Sequence, residues 1–79
     1  MQVLGSNLVT TDAAGIVQWN FPWAPTATTP AISAVAVATT PVFVTVRGVN
    51  INFVRLSAWD AAGAAVPNQL IIVTAFVWT

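Results

Sequence analysis

The sequence predicts an all-β protein, a small six-stranded antiparallel β-sandwich. Three observations carry this. Apolar and polar residues alternate with a period of two over Ile16–Phe21 and again over Val42–Arg47, the pattern of half-buried strands. The tetrapeptide Asp-Ala-Ala-Gly occurs twice, at Asp12–Gly15 and at Asp60–Gly63, each time after a strand-like stretch. Strand starts fall near residues 8, 16, 31, 42, 51 and 69 with turn signals between them, and no stretch has helical periodicity.

The first strand is expected over Leu8–Thr11, with an extension back toward Val3. Asp12 suits the start of a turn because its carboxylate accepts backbone N–H groups, and Gly15 supplies a left-handed residue. The second strand, Ile16–Phe21, sets Val17, Trp19 and Phe21 on one face and Gln18 and Asn20 on the other. Pro22 and Pro25 end it, since two prolines so close do not fit a central strand. Pro30–Ala38 is the third strand, small on both faces and suited to close approach by another sheet or chain.

The fourth strand, Val42–Arg47, places Val42, Val44 and Val46 inward and Phe43, Thr45 and Arg47 outward. A three-residue loop, Gly48-Val49-Asn50, keeps those valines on the face of Val54, Leu56 and Ala58 in the fifth strand. A two-residue loop would turn Arg55 in among them, and an unpaired buried guanidinium costs several kcal/mol. The odd-length loop is therefore preferred. The sixth strand, about Gln69–Trp78, is apolar on both faces. One face can meet the rest of the sandwich, and a neighbouring subunit is the natural cover for the other.

The 79 residues make one domain, 1–79. A chain of this size buries only about 60% of its unfolded surface, and such chains usually need a staple. Neither cysteine nor histidine is present, so disulfides and an ordinary zinc site are excluded. Oligomerisation is left. Charged residues are 5% of the chain and hydrophobic ones 57%, against about 25% charged in soluble domains. Such a surface associates.

Insertion in a membrane is not expected, because the apolar runs fall short of the roughly 20 residues of a spanning helix. A closed membrane barrel needs more strands than one copy supplies. The stretch MQVLGSNLVTTD lacks the charged start and apolar core of a signal peptide, so synthesis and assembly in the cytoplasm are expected. With zero net charge and no basic patch, nucleic acid is not an expected partner.

No motif carries catalytic chemistry. Asp12 and Asp60 both open a D-A-A-G turn, which accounts for them. Without His, Cys, Lys, Glu or Tyr, an acid–base pair or activated nucleophile is hard to assemble, so an enzyme is not expected. Two carboxylates far apart in sequence are a poor calcium set; no cofactor and no metal are expected.

The candidate ligand or interface residues are Trp23, Arg47, Phe53, Arg55 and Trp59. Tryptophans serve as core, as subunit anchors or as sugar-stacking platforms. Core or interface is the expectation for Trp19 and Trp78, whereas Trp23, between prolines, is the one expected to be exposed. Trp59 lies on the Arg side of its strand. Arg47 and Arg55 are expected on one sheet face, near Phe43 and Phe53. They are read either as solvated charges beside aromatic rings or as partners of Asp60 or Asp12 in a neighbouring subunit.

The order of these motifs resembles the C-terminal domain of bacteriophage tail-fibre and collar-type proteins. TTDAAGIVQWNFP precedes TPAISAVAVATTPVFVTVRGV, and LSAWDAAGAAVPN leads into the closing apolar strand, a likeness spanning about residues 9 to 78. Such domains are also similar to the H-type lectin fold, a six-stranded antiparallel sandwich that forms trimers. The resemblance implies a homotrimeric virion protein in a fibre, spike, decoration or tail-tip role, in contact with other virion proteins. Family members usually follow long shafts; this sequence shows none, and a free-standing virion subunit is expected. The alternative is a receptor-binding lectin that stacks Trp23 or Trp59 on a host surface glycan. A hydrolase acting on a surface polymer is the third class, disfavoured by the missing acid–base groups.

Overall fold

The structure is a computed structural model and describes residues 1–78. Six strands follow in order: β1 (Gln2–Thr10), β2 (Ile16–Asn20), β3 (Ala31–Ala36), β4 (Val42–Val49), β5 (Phe53–Asp60) and β6 (Leu70–Val77). They form two three-stranded sheets, β1-β6-β3 and β2-β5-β4, and every pairing is antiparallel.

The two strands richest in core side chains, β5 and β6, are the two central ones. Val54, Leu56 and Ala58 of β5 meet Ile71, Val73 and Ala75 of β6, and all are fully buried. Trp19 of β2 completes the cluster, and Leu4, Val9, Ile32, Ala34, Val42 and Val44 pack around it. Each fully buried Val, Leu or Ile contributes about 1.5–3 kcal/mol. The expected core face of β5 is thus the core face observed.

The twin turns are built alike. Asp12 Oδ1 accepts the amides of Ala14 and Ile16 at 2.8 and 3.1 Å. Asp60 Oδ1 accepts those of Ala62 and Ala64, both at 2.9 Å. Gly15 (φ 77°) and Gly63 (φ 84°) occupy the left-handed region, and each donates its amide to the carbonyl of its aspartate. Glycine enters that region without a Cβ penalty.

Several boundaries differ from expectation. β1 spans Gln2–Thr10, so the expected extension back toward Val3 is present, because the strand pairs along the whole of β6. β3 is shorter, and β4 runs on to Val49. The β4–β5 connection is a correction. The segment between the strands is Asn50–Asn52, not Gly48–Asn50. Beside it the pairs are Val49↔Val54 and Gly48↔Arg55, the register of an even-length loop. A β-bulge between Val46 and Gly48 then inserts Arg47 and restores the parity, so that Val46 pairs with Leu56 and Val44 with Ala58. Arg55 stays out of the core, by a bulge rather than by loop length. Val46 is not core as expected: it remains 45% exposed.

A polar clip closes the β1 end. Thr11, buried, donates its hydroxyl to Val66 O at 2.7 Å and accepts the Gln69 amide at 2.8 Å. Gln69 Nε2 in turn donates to Val37 O and Leu70 O, each at 2.9 Å, tying β3 to the start of β6.

Candidate functional site

The period-two geometry of the strands sends alternate residues of β2, β5 and β4 away from the core. The pairs Gln18↔Arg55, Asn20↔Phe53, Thr45↔Ser57 and Phe43↔Trp59 therefore assemble one outer face. Four of the five expected residues, Arg47, Phe53, Arg55 and Trp59, come together there.

The face is wired by hydrogen bonds. Arg55 Nη2 donates to Gln18 Oε1 at 2.7 Å, and Gln18 Nε2 donates to Asn20 Oδ1 at 2.8 Å. The Arg55 guanidinium carbon lies 5.8 Å from the centre of the Phe53 ring, an attraction of about 0.5–1 kcal/mol at an exposed site. Arg47, the bulge residue, donates to Ser57 Oγ at 3.3 Å and covers that buried hydroxyl. Trp59 Nε1 donates to Thr45 Oγ1 at 3.0 Å. Both guanidinium groups thus bond to neutral oxygens, and both remain exposed. The arrangement offers cationic donors beside aromatic rings.

Trp23 lies elsewhere, and its expected exposure is corrected. Its ring stacks on Phe21 (centroids 4.8 Å apart, planes 11° apart) and meets Trp19 edge-on at 5.5 Å. Its Nε1 is buried with no hydrogen-bond partner. Pro22 and Pro25 turn the loop, but the ring folds back onto β1, where Gly5 leaves room for it. Trp19 is buried as expected. Trp78, expected in core or interface, is 77% exposed in the single chain and sits edge-on to Phe76 at 5.9 Å.

The opposite outer face, on β1-β6-β3, has a different chemistry. Val3, Leu8, Val35, Val37, Ile72 and Trp78 are all at least 45% exposed. The apolarity of β6 on both faces was readable in the sequence. The flanking contribution of β1 and β3 was not, because strand order across a sheet is not a local property. Among the described residues no group of three or more His, Cys, Asp or Glu is placed to hold a metal ion. Compared with known proteins, the chain matches no family model, no curated protein and no solved structure.

Proposed function

We propose that this chain is a structural subunit of a bacteriophage virion. It is a β-sandwich that works by homo-oligomeric assembly, with a trimer as the expected state, and by docking on other virion proteins. The observation that supports assembly is the uncovered apolar face of β1-β6-β3, with Leu8 59%, Val35 61% and Trp78 77% exposed. Contiguous apolar patches beyond a few hundred Å² mark interaction surfaces on soluble proteins. The phage assignment rests on the resemblance in motif order. It is tested by peptide mass spectrometry of purified phage particles that encode this chain. Peptides at a fixed ratio to the major virion proteins are expected. Their confinement to the particle-free lysate would overturn the assignment.

A second reading, a lectin-like module for a host surface glycan, is favoured by the β2-β5-β4 face. Gln18, Asn20, Arg55 and Arg47 supply planar or forked hydrogen-bonding groups beside Phe53 and Trp59. On this reading Trp59, not Trp23, is the stacking residue. Trp59→Ala abolishes binding on a glycan array if the reading holds, and an array silent with the unmodified chain removes it.

A further inference from the structure

Successive rows of side chains cross the outer face of β1-β6-β3, and three of them are each of one chemical kind. Leu8, Ile72 and Val35 align as one row. Ser6, Thr74 and Ser33 form the next, with Ser6 Oγ and Thr74 Oγ1 2.9 Å apart. Val3, Phe76 and Ala31 form the third. None of the three strands contains a charged residue.

We infer that this face is covered by the same face of further copies of this chain, related by a rotation axis parallel to the strands. The inference rests on the assembly reading above and assigns its surface and geometry. Such an axis sets each row against itself. Apolar rows tolerate that, and so does a hydroxyl row, because each hydroxyl both donates and accepts. A charged row would meet its own charge, and this face has none. The β2-β5-β4 face, carrying Arg47 and Arg55, would meet like charges on the same operation.

Extent agrees. Each of the three strands contributes apolar residues at least 45% exposed, Val3 and Leu8 on β1, Ile72 on β6 and Val35 on β3, so the apolar surface crosses the whole sheet, as an interface of standard size requires. The competing route, strand addition at a sheet edge, is blunted on every edge strand. β1 and β4 carry bulges, β3 has six residues with Pro30 just before it, and β2 has five residues with Pro22 just beyond. Bulges, prolines and short strands are the usual devices against edge pairing. The copies therefore meet face to face.

Cysteine chemistry tests this directly, since the chain has no cysteine of its own. Facing sheets stand about 10 Å apart, too far for a disulfide between opposed residues, so a short bismaleimide is the probe. Ile72→Cys is expected to cross-link in most chains, and Arg55→Cys is not. Ile72→Glu is expected to shift the native mass to the 8.3 kDa monomer while circular dichroism keeps its β signature. A native oligomer in which Ile72→Cys fails to link, or Arg55→Cys links instead, overturns this surface and leaves the assembly reading standing. Unmodified chains that stay monomeric overturn both. Should Ile72→Glu fail to fold, the cysteine pair decides alone.

Discussion

Gly5 lies directly under the indole of Trp23: a β-carbon on residue 5 would stand 2.7 Å from Cζ3. The ring has little freedom to retreat, being held by Phe21 on one side and Trp19 on another. Gly5→Ala is therefore expected to destabilise the chain by about 1–3 kcal/mol, the usual cost of overpacking. Trp23 is partly buried, so Trp23→Ala is expected to cost less than the about 3–5 kcal/mol of a fully buried ring. Urea titration followed by tryptophan fluorescence measures both. A neutral Gly5→Ala would contradict the packing.

The twin turns differ in their surroundings. A β-carbon on Gly15 would meet Ala65 Cβ at 3.0 Å and Val66 N at 3.1 Å, whereas one on Gly63 would meet open space. Both substitutions incur the left-handed penalty of about 1–2 kcal/mol. Gly15→Ala is expected to cost at least about 1 kcal/mol more than Gly63→Ala, a further drop in Tm of about 4–8 °C for a domain of this size. Equal melting temperatures for the two variants would argue against the tight packing at Gly15.

Thr11→Val keeps the shape of the side chain and removes its hydroxyl. Val66 O and the Gln69 amide then each lose their bond to it. The buried Gln69 amide left unsatisfied costs about 1–3 kcal/mol and the part-buried Val66 O about 1 kcal/mol, so a loss of about 2–4 kcal/mol is expected in chemical denaturation. Hydrogen exchange at the Gln69 amide is expected to speed up in the same variant, and unchanged exchange would speak against the clip.

Deleting Arg47 tests the bulge. Arg47→Ala removes the donor to Ser57 Oγ and is expected to cost about 0.5–1.5 kcal/mol, the net worth of one hydrogen bond. Deletion removes the extra residue and leaves a regular ladder, with Gly48↔Arg55 followed directly by Val46↔Leu56, so Val42 and Val44 keep their face toward the core. The deletion variant is therefore expected to stay folded, and unfolding of most of its population would contradict this register. Thermal melts of both variants, read by circular dichroism, make the comparison.

These residues mark how far the sequence could be read. Alternation placed Val54, Leu56 and Ala58 in the core, because period two is a local signal. It also gave the shared parity of β4 and β5. The bulge that secures this parity stayed hidden, since a bulge is a property of two strands and nothing in Val46-Arg47-Gly48 alone requires one. Trp23 departs from its local signals for a related reason. Its flanking prolines are local and suggest a loop, while the space that receives its ring is made by Gly5 on another strand. At the candidate site, four residues on one face followed from parity alone. The Thr11–Gln69 clip did not, because a buried threonine has no distinctive pattern in a chain rich in threonine.

The central claim is that the apolar face of β1-β6-β3 is buried between copies of the chain. Native mass spectrometry of the purified protein at micromolar concentration tests it most directly. A closed oligomer is predicted, at three times the 8.3 kDa chain mass for the expected trimer, collapsing to monomer in Ile72→Glu. A soluble, monodisperse 8.3 kDa species from the unmodified chain would contradict it.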